Sequence, residues 1–208
     1  MEKIVIGIDQ SYKCTGVSII ANGTDILCMQ SLKFEDCKNN TEKRERLKGY
    51  LYEQIICIRK KYKDDCNITV IVEQIRLISQ GVLSQNYIKS TAALISVIID
   101  ICYHLDISVY SVSTKSWKAQ VIGTSKPLDN PYGINKEKYP TILYLKSKGL
   151  LNRLIEPYSG KGKKGIIPVK IDGEKVLCKI NDDIADSYCI CMYGFLPKSK
   201  QKLKLETF

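Results

Sequence analysis

The sequence predicts a mixed α/β domain, and three observations carry that prediction. Short β-branched apolar runs alternate with stretches of helical period along the chain. The first three runs are joined by turns too short for a crossover helix, so they pair antiparallel. Two later runs each follow a helix, which suits parallel strands added to the same sheet. The length agrees with one domain: 208 residues, 44% apolar and 26% charged, are ordinary for a folded chain.

Residues 3–9 form a buried first strand that ends in an acid, Asp9. Residues 16–21 and 25–32 supply the second and third strands, with Asn22-Gly23 as the hairpin turn. Residues 41–63 read as a helix that Thr41 can cap, with Leu47, Leu51, Ile55, Ile58 and Tyr62 at spacings of three and four. Residues 67–73 are a fourth strand, again ending in an acid, Glu73. Residues 82–104 form a second helix that is apolar on two sides: Leu94, Ile98 and Cys102 on one, Ile88, Ala92, Ile95 and Ile99 on the other. Residues 107–112 are a fifth strand, followed by a short helix from Ser113-Thr114 to about Val121. Residues 136–149 are helical, with Gly149 as the stop. Residues 150–180 break the rhythm and read as an insertion, including a hairpin that turns at Asp172-Gly173. Asn181 or Asp182 caps a last helix to about Phe195, and residues 196–208 are a loose basic tail. The expected organisation is one domain, 1–195, carrying the insertion, plus that tail.

Composition narrows the chemistry. Lys and Arg number 32 against 22 Asp and Glu, a formal charge of +10 that points to a polyanionic partner, nucleic acid first. A single histidine, His104, excludes sites built on several imidazoles; it lies near a helix C-terminus, where its charge is favourable. Nine cysteines without a CxxC pair do not resemble a zinc site and read as reduced thiols used as small apolar residues. No run reaches the ~18 apolar residues of a membrane span. With no secretory signal at the start, the expected location is cytoplasmic.

Three groups of acids stand out. Asp9 and Glu73 end buried strands, where a carboxylate is costly unless it is paired or binds a cation. Asp182, Asp183 and Asp186 open the last helix; the pairs 183/186 and 182/186 each share a side. If the first and fourth strands are neighbours, these acids converge. Hard oxygen donors without His or Cys suit Mg²⁺ or Mn²⁺. Each acid also has an ordinary structural explanation. Asp9 can cap the turn through Ser11, Glu73 can pair with Arg76, and acids in a first helical turn complement the helix dipole.

The ordered set of motifs resembles a known family. Ile6-Gly7-Ile8-Asp9-Gln10-Ser11 with Thr15-Gly16-Val17, then Val70-Ile71-Val72-Glu73-Gln74, the Val109–Lys126 stretch, and Asp183-x-Ala185-Asp186-Ser187 are similar to the RuvC-type Holliday junction resolvases of the ribonuclease H-like superfamily. The insertion makes the chain look like a phage- or virus-encoded branch. The resemblance implies a ribonuclease H-like sheet of three antiparallel then two parallel strands, flanked by helices. It also implies a four-carboxylate site of Asp9, Glu73, Asp183 and Asp186, with Asp182 competing for the third place. Two Mg²⁺ ions (Mn²⁺ substituting) about 4 Å apart would clamp the scissile phosphate. The implied activity is crossover junction endodeoxyribonuclease, leaving 5′-phosphate and 3′-hydroxyl ends. The implied partners are four-way or other branched DNA and a second copy of the chain, for which helix 82–104 is the candidate contact.

Arg76, Lys115, Lys118 and Lys126 are the candidate DNA contacts, against the simpler reading of solvated cations. Tyr87 is a possible aromatic at the junction. Lys161, Lys163, Lys164 and the tail lysines would widen the footprint. Three other readings stay open: an ATPase of the actin-like clan, a related RNA nuclease, and an inactive junction-binding module.

Overall fold

Alternation along the first strands decides the layers. The structure, a computed structural model, describes residues 1–63, 65–75, 85–158, 166–171 and 174–206. Strands β1 (Glu2–Asp9), β2 (Cys14–Ala21), β3 (Asp25–Lys33), β4 (Cys66–Glu73) and β5 (Ser108–Val112) build the main sheet. Successive side chains of a strand face opposite sides. Ile4, Ile6 and Ile8 of β1, with Val17, Ile19, Val70 and Val72, therefore fill one core with helices α1 (Asn40–Tyr62) and α2 (Gln85–His104). Val5, Ile20 and Ile71 point the other way, into a second core with α5 (Asp182–Tyr193) and α4 (Tyr139–Ser147).

The strand order is β3-β2-β1-β4-β5, continued by a short β9 (Lys204–Glu206). β1 pairs antiparallel with β2 and parallel with β4, and β4 pairs parallel with β5. The expected sheet is therefore present, but its far edge is not where the sequence places it. β9 runs antiparallel to β5, and Glu206 accepts a hydrogen bond from the Ser111 hydroxyl at 2.5 Å. The tail read as loose thus returns to the sheet through residues 204–206. One local reading changes: Asn39, not Thr41, caps α1 by accepting from the Glu42 amide at 3.0 Å; of the two candidates for α5, Asn181 is the cap.

Within 150–180 a second, antiparallel sheet forms from β6 (Ile155–Pro157), β8 (Glu174–Ile180) and β7 (Ile166–Ile171). The expected hairpin is β7–β8; its turn at Asp172-Gly173 lies outside the described residues. So do Arg76, Lys161, Lys163 and Lys164. The short helix after β5 is α3 (Thr114–Trp117), which runs into one wider turn over Lys118–Ile122. All nine cysteines are free thiols. Among the described residues no helix is long and apolar enough to cross a membrane.

Candidate active site

Parallel register sets the first two acids side by side. Ile8 of β1 is opposite Val72 of β4, so Asp9 and Glu73 follow at the same end of adjacent strands. The C-terminal ends of parallel strands are where α/β sheets commonly place their ligands. Gln10 locks that end: its side-chain amide donates to the Glu73 carbonyl at 2.6 Å and accepts from the Glu73 amide at 3.2 Å.

Two glycines bring the third element in. A Cβ on Gly16 would stand 2.0 Å from the Asp183 carbonyl oxygen, and one on Gly7 would stand 2.3 Å from that of Ser187. Any side chain at either position would push α5 off the sheet. Buried hydroxyls of Ser18 and Ser187 bond across the same contact at 2.8 Å. The Asn181 cap, accepting from the Ile184 amide at 3.2 Å, starts α5 where Asp182, Asp183 and Asp186 lie over β1. Asp9 and Gly16 are themselves paired across β1 and β2, so the close approach falls beside the acid.

The acids surround a cation that sequence reading did not single out. Lys138, one residue before α4, donates to Asp186, and its Nζ is 3.6 Å from Asp9 Oδ2 and 3.8 Å from Asp182 Oδ2. Burial works against its charge, but Asp186, Asp9 and Asp182 more than offset that and hold its pKa above the ordinary lysine range. Asp9 is pushed well above the usual carboxylate range, first by burial, against the pull of Lys138, and further by Asp186, Glu73 and Asp183. Asp183 is raised by burial and by Asp182, while Lys138 and a hydrogen bond with the Cys14 thiol lower it. Asp186 is only 2% exposed, and its Oδ1 has no hydrogen-bond partner among the described residues.

The candidate DNA contacts divide. Lys115 and Lys126 are exposed. Lys118 is not available at the surface, which corrects its assignment: it is 6% exposed, its ammonium donates to the Glu137 carbonyl at 2.6 Å, and it lies 5.2 Å from the centre of the Trp117 ring. It acts as a strut holding the backbone next to Lys138. His104 ends α2 as expected, 3.4 Å from Asp100.

Among the described residues no three His, Cys, Asp or Glu side chains are arranged to hold a metal ion as they stand. Asp9, Asp182 and Asp186 are gathered around an ammonium instead. The donor set nevertheless fits a hard divalent cation. It is made of carboxylates alone, one of its buried oxygens is unpartnered, and the favoured position for positive charge is already marked by Lys138.

The fold is shared with known structures. The Thermus thermophilus RuvC structure in complex with Holliday junction substrate superposes with a TM-score of 0.57 and 13% identity, covering 98% of this chain and 99% of that one. A second Thermus thermophilus RuvC structure gives 0.52 and 13%, over 92% and 93%. The chain has the RuvC fold. The yeast mitochondrial Holliday junction resolvase aligns less well, at a TM-score of 0.48 and 14% identity, over 92% of this chain and 76% of that one. No protein-family model and no curated protein sequence matches the chain. The RuvC likeness is thus one of backbone course: at 13% identity it extends over both chains almost end to end.

Proposed function

We propose that the chain is a divalent-metal-dependent, structure-selective DNA endonuclease that resolves four-way junctions and other branched DNA. The observation that carries this reading is the meeting of strand-end Asp9 with buried, half-unpartnered Asp186 around one cation, inside a RuvC fold. In this reading Asp9, Glu73, Asp183 and Asp186 would hold two Mg²⁺ ions, with Mn²⁺ able to substitute. Asp183 is preferred to Asp182 for its Asp183-x-x-Asp186 spacing, the pattern of the resemblance, and its charge also bears on Asp9. Bound there, such ions would supply an activated water and stabilisation of the leaving oxygen of the cut phosphodiester.

The chain's own residues do the rest. Gln10 fixes the separation of Asp9 from Glu73, and the Gly7 and Gly16 contacts fix α5 above them. Lys138 neutralises the acids before metal and phosphate arrive, which limits the repulsion among buried like charges. No imidazole base is required, in keeping with one histidine, exposed at the end of α2. Lys115 and Lys126 would meet phosphate without reading sequence. Cleavage leaves 5′-phosphate and 3′-hydroxyl ends, and two copies of the chain, meeting through α2, cut two strands of the junction.

The test compares a labelled four-way junction with a linear duplex of the same sequence, with Mg²⁺ and with chelator. Paired cuts in the junction alone, dependent on Mg²⁺, are expected. Equal cutting of duplex and junction would remove the structure selectivity, and ATP turnover without cutting would replace the reading with the actin-like one.

A further inference from the structure

Beside the acids lies a cleft that the nuclease reading does not use. It has a volume of about 240 Å³ and is walled by Tyr132, Tyr139, Ile142, Pro168 and Val169, with Lys146 at its edge. The two tyrosine rings are 6.5 Å apart, centre to centre, and tilted by 55°. The wall is held in place from within the loop. The Asn130 side-chain oxygen accepts from the Tyr132 and Ile134 amides, both at 3.0 Å, and its amide donates to the Ile134 carbonyl at 2.8 Å. The opposite wall comes from the second sheet.

The cleft does not end at its own rim. Ile134, Ile142 and Ile180 also line a neighbouring recess of about 190 Å³, which reaches Asp182 and carries Lys179. An apolar, aromatic hollow therefore runs up to the carboxylate cluster, with a lysine at each part of its mouth. Pockets for drug-sized molecules span roughly 300–1,000 Å³. This one has room for a single flat ring system. Nucleic-acid sites pair cationic rims with aromatic faces on which bases stack.

We propose that this cleft receives one unstacked nucleobase of the DNA strand held at the acids, stacked on Tyr132 or Tyr139, while Lys146 and Lys179 meet the adjoining phosphates. The inference rests on the nuclease reading, and it gives the second sheet a role: its β7 wall closes the base site. Continuous stacking is interrupted at a branch point, so a base there is extruded at lower cost than one inside a duplex. The cleft thereby contributes to the choice of branched over linear DNA.

The experiment uses the full-length protein and a four-way junction carrying 5-iodouracil at each nucleotide flanking the branch point, irradiated in Ca²⁺ to suppress cutting. Peptide mapping is expected to find the crosslink at Tyr132 or Tyr139. Crosslinks confined to other residues, or none at all with the junction bound, would overturn the proposal. A second measurement compares the double variants Tyr132→Leu/Tyr139→Leu and Tyr132→Phe/Tyr139→Phe, each checked for a cooperative unfolding transition. The leucine variant should bind the junction about tenfold more weakly, with duplex binding unchanged, and the phenylalanine variant should match wild type. A leucine variant that binds the junction as tightly as wild type would equally overturn it. Failure of the wild-type protein to prefer junction over duplex would instead count against the nuclease reading itself.

Discussion

Lys138 holds together a group of acids that would repel one another without it. Removing one partner of a buried ion pair typically costs about 3 kcal/mol or more. Lys138→Met should therefore destabilise the metal-free protein by roughly 3 kcal/mol in urea titrations, with much of the loss restored by Mg²⁺. Asp9→Asn should do the reverse. Burial raises the Asp9 pKa in the folded state, so the unfolded chain ionises first as pH rises. The Asp9 penalty is absent in acid, below the ordinary carboxylate range. It grows as pH climbs from that range towards the raised value. Without metal, Asp9→Asn should melt higher than wild type at neutral pH, and the two melting curves should converge on acidification. At this scale the sequence shows some residues and hides others. Asp9 and Glu73 were legible because an acid ending an apolar strand is locally anomalous. Lys138 was not, because it is one of 27 lysines and nothing local separates it from Lys136. Lys118 misled for the same reason: a lysine in an acid-free stretch looks solvated until Trp117 and the Glu137 carbonyl are seen around it.

Elements place the site through two close approaches. Gly16 and Gly7 let the backbone of α5 lie against β2 and β1, a contact no other residue allows. Gly16→Ala should cost about 1–3 kcal/mol of stability by overpacking. It should also lower cleavage well beyond that loss, because it moves Asp183 and Asp186 relative to Asp9; single-turnover rates measured on fully folded protein would separate the two effects. The strands, the antiparallel pairing of the first three and the helices were legible from period and turn chemistry, whereas the neighbouring of β1 and β4 entered only as a condition. Helix-cap choice was not, since Asn39 and Thr41 are both good caps and only the bond to Glu42 decides. The return of the tail as β9 was equally hidden. Three residues pairing with β5 carry no periodic signal, and the lysines around them read as solvated.

At the scale of the molecule, positive charge and negative site have separate tasks. A formal charge of +10 supplies attraction to any nucleic acid, and the carboxylates oppose it at one point where metal would bridge protein and phosphate. Binding should therefore fall steeply with salt, by about a thousandfold between roughly 50 and 200 mM if six phosphates are neutralised. The same salt should weaken duplex and junction binding nearly alike, since lysines do not read structure. The most direct test of the whole account is cleavage of a four-way junction in Mg²⁺ by wild type, Asp9→Asn and Glu73→Gln at equal, saturating protein. The account predicts that both variants still bind the junction, with single-turnover cutting reduced at least a hundredfold. Wild-type rates from either variant would contradict it.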